Sequence, residues 1–253
     1  MTGLALAPGS ALVTGGATGI GAAIARALAQ AGADVAITVN RSPGDEALAL
    51  IEAAGRRGMS ATADLGAFDA KGMDRLLDDV EGTLGPIGIL VNNAGIIRRA
   101  DAVETADADW DAVIDVNLNA VWRLTRAAGE RMLPRGRGRI VTIASLLSFQ
   151  GGIRVPAYAA SKHAVAGLTK ALANEWARHG VGVNAIAPGY IATDNTAALR
   201  DDPERARQIL ERIPAGRWGE AEDIAGMAVF LASEAAGYVH GQVIAVDGGW
   251  MSR

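Results

Sequence analysis

The amino-acid sequence predicts a doubly wound α/β fold, in which helices cover both faces of a parallel sheet of about seven strands. First, short apolar segments alternate with helical segments along nearly the whole chain, as in strand–helix–strand units. Second, a glycine-rich turn follows the first predicted strand and opens a helix. Third, half of the 253 residues are hydrophobic, which is enough apolar material for an extensive core. Right-handed crossovers between such units wind the chain into a single sheet.

Seven short apolar segments are predicted strands. They are Ser10–Thr14, Asp34–Val39, Ser60–Ala63, Ile87–Val91, Arg139–Ala144, Val181–Ala187 and Gln242–Val246. The first predicted helix carries Ile20, Ile24 and Leu28 on one face. Later helices are predicted over Asp45–Arg56, Ala67–Leu84, Asp107–Leu133, Val155–His179, Asp194–Arg212 and Glu220–Ala232. Gly32 and the pair Gly85-Pro86 are predicted helix ends, because glycine often terminates a helix and proline cannot continue one.

No linker or repeat interrupts this alternation, so we expect residues 1–253 to form one domain. Residues 192–214, after the sixth predicted strand, depart from the pattern. Ligands of such sheets bind beyond the carboxyl ends of the strands. We therefore expect residues 192–214 to cover a substrate.

Composition excludes several classes of function. Asp and Glu number 28 against 24 Lys and Arg, and the net charge of −4 disfavours non-specific nucleic-acid binding. The absence of cysteine excludes disulfides, thiolate nucleophiles and iron–sulfur clusters. The histidines His163, His179 and His240 lack the spacing of metal ligands, so no metal site is predicted. The uncharged N-terminal stretch has no apolar run of roughly 18 residues. We expect no membrane span and a cytoplasmic protein.

The glycine-rich turn, Thr14-Gly15-Gly16-Ala17-Thr18-Gly19-Ile20-Gly21, favours a dinucleotide site. Glycines let the backbone approach a ligand closely, and the helix behind them offers free N–H groups and partial positive charge to a pyrophosphate. The spacing is G-x-x-x-G-x-G rather than the more common G-x-G-x-x-G. The alternative is a turn that only allows tight packing of strand against helix. The position of this glycine-rich segment, at the first strand–helix turn, favours the nucleotide site over that alternative.

The end of the second predicted strand bears on the choice between NAD and NADP. A carboxylate at this place holds the ribose 2′-hydroxyl of NAD, whereas an arginine accommodates the 2′-phosphate of NADP. Here the strand is followed by Asn40 and Arg41, with no carboxylate to repel a phosphate. The chemistry of these residues favours NADP slightly, and a solvated loop arginine is the alternative.

Tyr158 and Lys162 are spaced to share one face of a predicted helix, and Ser145 follows a predicted strand at its carboxyl end. An ammonium group beside a phenol favours the phenolate and lowers its pKa from about 10. Such a tyrosine exchanges a proton with an alcohol or a ketone, and a serine hydroxyl polarises the same oxygen. Taken alone, the pair is more typical of a surface helix, from which Tyr and Lys extend their polar ends into solvent.

In combination, these motifs resemble the classical short-chain dehydrogenase/reductase family. The motifs occur in order over essentially the whole chain, as the glycine turn, Asn92-Asn93-Ala94-Gly95, Asn117, Ser145, Tyr158-x-x-x-Lys162 and Pro188-Gly189. The resemblance implies a Rossmann-type fold and catalytic roles for four residues, namely Asn117, Ser145, Tyr158 and Lys162. Asn117 would anchor a water that relays protons through Lys162.

The resemblance also implies cofactor contacts along several strand ends. They fall on Gly15, Thr18, Gly19, Ile20, Gly21, Asn40, Arg41, Asp64, Leu65, Asn92, Ala94, Gly95, Tyr158, Lys162, Pro188, Gly189, Ile191 and Thr193. It further implies a homotetramer, assembled through the helix Val155–His179 and the long helix before it.

A closer resemblance is to the subgroup of this family that contains 2-deoxy-D-gluconate 3-dehydrogenases and 2-dehydro-3-deoxy-D-gluconate 5-dehydrogenases. It is carried by NNAGIIRR at residues 92–99, by SLLSFQGGIRVPAY at residues 145–158, and by RIPAGRWG and VDGGW near the C-terminus. The subgroup implies NAD and a sugar-acid substrate. Arginines suit the carboxylate of such a substrate. The predicted substrate-binding residues are Ser145, Gln150, Arg154, Arg98, Arg99 and Tyr158.

The preferred hypothesis is an NAD(P)-dependent oxidoreductase acting on a secondary alcohol or ketone of a deoxy-keto sugar acid. A 3-oxoacyl thioester reductase is a second enzyme hypothesis, because it is a common activity in this family. A non-catalytic protein that senses the cofactor is a third, because a fold alone does not establish turnover. For Trp218 and Trp250, covering the pocket and packing are equally favoured.

Overall fold

The computed structural model describes residues 4–40 and 42–253. Among these residues, seven parallel strands form one sheet. They are β1 (Ser10–Val13), β2 (Val35–Val39), β3 (Gly58–Thr62), β4 (Ile87–Asn92), β5 (Gly138–Ile143), β6 (Val181–Pro188) and β7 (Val243–Val246). Their order across the sheet is β3-β2-β1-β4-β5-β6-β7. The prediction of a doubly wound α/β fold is confirmed.

The strand order reverses between β1 and β4, which creates a crevice at the carboxyl end of the sheet. Val13 of β1 pairs with Ile37 of β2 on one side and with Val91 of β4 on the other. The connections that leave these two strands therefore run in opposite directions. Open α/β sheets bind ligands at such a switch point.

Helices cover both faces of the sheet. They are α1 (Gly19–Gln30), α2 (Asp45–Ala53), α3 (Ala70–Leu84), α4 (Asp107–Ile114), α5 (Ala120–Met132), α6 (Pro156–Trp176), α7 (Ala197–Arg200), α8 (Pro203–Arg212) and α9 (Ala221–Ala232). One core cluster joins α1, α2 and α9 to the sheet, with Ile24, Ile51 and Ile224 fully buried. A second joins α3, α5 and α6 to the opposite face, through Leu77 and Met132 among others.

The helix predicted over Asp107–Leu133 contains an irregularity. The five residues Asp115–Asn119, between α4 and α5, form a π-helical turn. The side chain of Asn117 faces inward there and bonds to the backbone of Ile96, 21 residues earlier in the chain. A local helical pattern contains no trace of such a contact, so the sequence predicted one uninterrupted helix.

The prediction of a single helix over Asp194–Arg212 is wrong. This segment consists of a 3-10 turn (Asp194–Thr196), α7 and α8. The side chain of Asp202 accepts hydrogen bonds from the backbone N–H groups of Glu204 and Arg205, and Pro203 occupies the first turn of α8. A proline disfavours helical backbone in the residue before it, so a new helix begins here.

None of the helices within residues 4–40 and 42–253 is long and apolar enough to cross a membrane.

Candidate active site

The glycine turn at the end of β1 has the geometry of a ligand cradle. Gly15 and Gly19 have positive φ angles of 62° and 54°, which L-residues with a side chain rarely adopt. A Cβ atom on Gly21 would lie 2.2 Å from the carbonyl oxygen of Gly15. Glycine at these positions therefore allows a backbone path that a larger residue would block.

Two polar side chains hold this turn against the end of β4. Thr14 Oγ1 accepts hydrogen bonds from the backbone N–H groups of Asn93 (2.9 Å) and Ala94 (3.0 Å). Asn93 Nδ2 donates in return to the carbonyl oxygens of Thr14 (2.9 Å) and Gly15 (3.1 Å). Thr14 and Asn93 lie within the sequence motifs, but the sequence alone assigned no role to either. The repeated asparagine of Asn92-Asn93 was the available signal.

The N-terminus of α1 lies directly behind the glycine turn. Its N-cap, Thr18, makes no side-chain capping hydrogen bond. Backbone N–H groups of the first turn are therefore available to an anion, together with the positive end of the helix dipole. A Cβ on Gly19 would lie 3.5 Å from Cγ2 of Thr193, so the loop after β6 reaches the same cradle.

The remaining predicted cofactor residues lie along the strand ends in different settings. Asn40 and Asp64 are exposed beyond β2 and β3, and Leu65 is buried beside Asp64. Asn92 is buried, and its side chain donates to Thr125 Oγ1 (2.9 Å) and Thr142 Oγ1 (3.4 Å). The Asn92 amide is therefore occupied by structural contacts. Arg41 lies outside the described residues.

Asn117 is buried and fastens the π-helical turn to the chain beyond β4. Its Oδ1 accepts from Ile96 N–H (2.8 Å), and its Nδ2 donates to Ile96 O (2.9 Å). The same Nδ2 lies 3.3 Å from Ser161 Oγ, which donates to the carbonyl oxygen of Tyr158 at 2.8 Å. The amide thus links three elements of the site. Sequence reasoning missed Ser161, because the contact joins residues 44 positions apart.

The structure brings Ser145, Tyr158 and Lys162 together at the carboxyl end of β5. Ser145 follows β5 in extended backbone, where its Oγ accepts from the N–H of Leu147. Tyr158 lies in the first turn of α6, and Lys162 Nζ is 5.5 Å from the centre of its ring. Lys162 is buried, and its Nζ donates to Ile143 O at 2.7 Å.

Burial dominates the electrostatics of this group. It lowers the pKa of Lys162 from 10.5 to about 8, because removal from water disfavours the ammonium form. Burial raises the pKa of Tyr158, and the nearby Ser145 hydroxyl and the charge of Arg99 oppose this increase. The sequence predicted that Lys162 would lower the pKa of Tyr158. In the structure, burial dominates and the pKa of Tyr158 is raised instead. At neutral pH the phenol is protonated, which is the form that donates a proton.

The three candidate arginines lie in three different environments. Arg99 donates to the carbonyl oxygen of Asn195 at 3.2 Å, and its positive charge slightly opposes the rise in the pKa of Tyr158. Arg98 forms an ion pair with Asp109 (3.3 Å), and Arg154 forms one with Asp101 (2.9 Å). Arg99 is therefore the member of this trio whose charge acts on Tyr158.

Residues beyond β6 complete the rim of the site. A Cβ on Gly189 would lie 2.6 Å from Cα of Asp247, so this turn packs tightly against the C-terminal segment. Ile191 is buried, Pro188 ends β6, and Gln150 is half-buried beyond the turn that follows Ser145. Tyr190 packs against both Trp218 and Trp250. The two tryptophans belong to a small apolar cluster that includes Ile209 of α8.

Comparison with known proteins agrees with this geometry. The family model described as "Enoyl-(Acyl carrier protein) reductase" matches residues 15–251. The chain belongs to the short-chain dehydrogenase/reductase family. This short-chain dehydrogenase/reductase is 57% identical over 244 residues to the 2-dehydro-3-deoxy-D-gluconate 5-dehydrogenase of Bacillus subtilis (strain 168), covering 96% of this chain and 95% of the relative.

Solved structures of other short-chain dehydrogenases/reductases are similar over nearly the full length. One is a protein from Agrobacterium tumefaciens with bound NADP, provisionally assigned as a 2-deoxy-D-gluconate 3-dehydrogenase. It is 54% identical, with a TM-score of 0.91 and 100% of both chains covered. Another is a gluconate 5-dehydrogenase from Burkholderia cenocepacia J2315 in complex with NADP and tartrate. It is 39% identical, with a TM-score of 0.90 and coverage of 98% of this chain and 97% of that one.

Proposed function

We propose that this protein is an NAD(P)-dependent dehydrogenase of a deoxy-keto sugar acid, of the 2-deoxy-D-gluconate or 2-keto-3-deoxygluconate type. It interconverts a secondary alcohol and a ketone. The observation that carries the substrate class is Arg99, which lies in the segment beyond β4 and donates to Asn195 O in the segment beyond β6, so a guanidinium lies where these two segments meet. A guanidinium at this position suits a substrate whose carboxylate lies a few bonds from the reacting carbon. The sugar-acid names of the similar proteins support the same class.

The proposed proton transfer uses Tyr158. In the direction of reduction, its hydroxyl donates a proton to the ketone oxygen, and in the direction of oxidation it accepts one from the alcohol. Ser145 donates a hydrogen bond to the same substrate oxygen and holds it in place. Lys162 keeps a positive charge near the phenol at neutral pH, since its pKa is about 8. Asn117 holds the π-helical turn against this group, and the water relay through Asn117 stays a prediction.

The cradle at the end of β1 fits a dinucleotide. The positive φ angles of Gly15 and Gly19 and the side-chain-free space at Gly21 allow close approach of a pyrophosphate to the uncapped start of α1. When bound, the nicotinamide supplies or accepts the hydride of the reaction. We propose that both NAD and NADP are accepted and that NADP is preferred, on the basis of Asn40 and Arg41. The NADP in two similar structures supports this preference.

Initial rates with a panel of substrates and each of the two cofactors test the proposal. The panel contains 2-deoxy-D-gluconate, 2-keto-3-deoxygluconate, D-gluconate and acetoacetyl-CoA. We expect turnover of at least one sugar acid and little with the thioester. Turnover of acetoacetyl-CoA alone would overturn the sugar-acid assignment in favour of a 3-oxoacyl thioester reductase. That alternative is kept because the matching family model is described by an acyl-carrier substrate.

The same assay addresses the third hypothesis, a sensor without turnover. A sensor has no need of a proton donor, so the assembled Ser145, Tyr158 and Lys162 disfavour it. Tight cofactor binding with no turnover of any substrate in the panel would support the sensor.

We also propose that Arg41 contacts the 2′-phosphate of NADP. Replacing Arg41 by Ala removes a charge-assisted hydrogen bond, so the KM for NADPH should increase by about tenfold or more. The KM for NADH should change little, because NADH carries no 2′-phosphate. Equal effects on both cofactors would remove this assignment.

We propose that the chain forms one catalytic domain in which residues 192–214 cover the substrate. The hydrogen bond from Arg99 to Asn195 and the contact of Ile209 with the apolar cluster under α8 support the covering role.

We further propose a cytoplasmic homotetramer. Trp110 and Trp122, on α4 and α5, are 40% and 39% exposed, and large aromatics of this kind favour an interface. Light scattering during size-exclusion chromatography tests the assembly, and a monomer at working concentration would overturn it.

A further inference from the structure

Arg154 has an unusual backbone. Its φ angle of 63° is the one positive value at a non-glycine residue in the described part of the chain. Arginine has no local means of stabilising this left-handed conformation, so its surroundings must hold it there. Strained residues of this kind occur preferentially at functional sites, which raises the question of what Arg154 does.

Both the backbone and the side chain of Arg154 contact the segment beyond β4. Its carbonyl oxygen accepts a hydrogen bond from the N–H of Ala100 at 3.1 Å. Its Nε forms an ion pair with Oδ1 of Asp101 at 2.9 Å, and both side chains are about 60% exposed. We refer to the Arg154–Asp101 pair, with the adjoining backbone hydrogen bond, as the loop clamp.

The loop clamp joins the two segments that carry Arg99 and Tyr158. Asp101 is two residues after Arg99, and Arg154 is four residues before Tyr158. Between Arg154 and Tyr158, Val155 is buried and Pro156 begins α6, so little freedom remains on that side of the clamp. On the other side, Ile96 is fastened by Asn117. The clamp fixes the end of the Arg99 segment that Asn117 does not hold.

We propose that Arg154 is a positioning residue that sets the placement of Arg99 relative to Tyr158 through its ion pair with Asp101. It thereby orients the carboxylate of the substrate and does not bind that carboxylate itself. This inference rests on the proposed sugar-acid function, because Arg99 is the group being positioned. Direct binding of the substrate by Arg154 is the competing explanation, and the two make opposite predictions for Asp101.

The first test compares three single variants with the sugar acid that the wild type turns over best. Arg154→Asn removes the guanidinium and keeps the fold, because asparagine adopts positive φ readily. Asp101→Asn leaves Arg154 in place and free of its partner. We expect each to raise the KM by about two- to fivefold, the size of an exposed ion pair. The kcat and the Kd for NADPH should change little.

Asp109→Asn is the matched control, since Asp109 forms an exposed ion pair with Arg98 in the same region, and that pair joins the segment beyond β4 to α4 instead of to Arg154. It should leave the KM unchanged. If Arg154 bound the substrate directly, Asp101→Asn would leave the KM unchanged or lower it, because a free guanidinium is a better carboxylate ligand. That result would overturn the clamp.

The second test repeats the Arg154→Asn and Asp101→Asn substitutions in an Arg99→Gln background. The clamp acts through Arg99, so neither substitution should change the KM further there. A purely structural contribution of the loop would give the same fold-change in both backgrounds, and that additivity would overturn the proposal. Failure of the sugar-acid function has a different signature. The wild type itself would then show no turnover with sugar acids, which would overturn both inferences together.

Discussion

The cofactor side and the substrate side of this site are held in place by different kinds of contact. The glycine turn is tied to β4 through Thr14 and Asn93, with four hydrogen bonds of 3.1 Å or shorter between partly buried groups. The arginines of the substrate side reach exposed partners, and Arg98 and Arg154 are 48% and 59% exposed. If the arginines select the substrate as proposed, selection depends on exposed contacts between loops, whereas the cofactor cradle is held by partly buried contacts between regular elements.

The energies of these contacts differ accordingly. A buried hydrogen bond contributes roughly 0.5–1.5 kcal/mol, and leaving one buried partner unpaired costs more. An exposed ion pair contributes roughly 0–1 kcal/mol. Substitutions on the substrate side should therefore change selectivity with little effect on folding, and the opposite should hold behind the cofactor cradle. Four experiments test this contrast.

The largest effect should come from the proton donor. Replacing Tyr158 by Phe removes the hydroxyl proposed to exchange a proton with the substrate, so kcat should fall by about 10²–10⁴-fold. The Kd for NADPH, measured by fluorescence titration, should stay within about twofold, because the cradle at β1 is untouched. Retention of more than a tenth of wild-type kcat would contradict the assigned role.

The burial of Lys162 should be visible in the pH dependence of stability. Its pKa in the folded chain is about 8, below the ordinary value of 10.5. Between these values the unfolded chain binds a proton that the folded chain does not, so the Lys162 contribution to stability rises with pH. Relative to Lys162→Met, the wild type should gain about 3 kcal/mol between pH 7 and pH 10.5.

Chemical denaturation at a series of pH values measures this difference. Lys170→Met is the matched control, because Lys170 is on the same helix and exposed. Its stability difference from the wild type should be nearly constant over the same range. A flat difference for Lys162→Met as well would show that the ammonium is hydrated in solution.

On the substrate side, Arg99→Gln should act on binding alone. Loss of a charge-assisted contact to a carboxylate costs about 1.5–3 kcal/mol, so the KM for the sugar acid should increase by roughly 10- to 100-fold. The melting temperature and the Kd for NADPH should be unchanged. A neutral polyol tested as an alternative substrate should show no loss, and an equal loss with the polyol would remove the carboxylate from the explanation.

The smallest expected effect, and the sharpest contrast, comes from two glycines replaced by alanine. Gly21→Ala would bring a methyl group to 2.2 Å from Gly15 O, so the turn must shift, at a cost of roughly 1–3 kcal/mol and with weaker NADPH binding. Gly82→Ala in α3 meets nothing within 4 Å and should stabilise the protein by about 0.8–1 kcal/mol. Similar melting temperatures for the two variants would refute the steric reading of the cradle.

Much of the fold could be predicted because its signals are local. Apolar runs marked the strands, and Gly32 and Gly85 were predicted helix ends and have positive φ angles of 104° and 87°. Several boundaries moved by a few residues for reasons that only contacts reveal. The helix α3 begins at Ala70 rather than Ala67, because the side chain of Asp69 caps it through the N–H of Gly72.

The residues of the candidate site could be predicted from the sequence, but most of the contacts between their side chains could not. The motifs located Ser145, Tyr158 and Lys162 on elements whose ends meet, since the topology follows from the alternation of strands and helices. The partners of the arginines are different in kind. Arg99 contacts Asn195, 96 residues away, and the ion pairs of Arg98 and Arg154 depend on loop conformation. No periodicity in the sequence encodes such pairings. The sequence therefore could not distinguish the three arginines, although their partners in the structure differ.

The π-helical turn at Asp115–Asn119 makes the segment from α4 to α5 sensitive to insertions and deletions. Each residue of an α-helix advances the side chains by about 100° around the axis. Deleting one residue within the turn would let the two helical segments merge, and Asn117 would rotate away from Ile96. A change of one residue in length here would cost the enzyme a connection that no substitution at the neighbouring positions can restore.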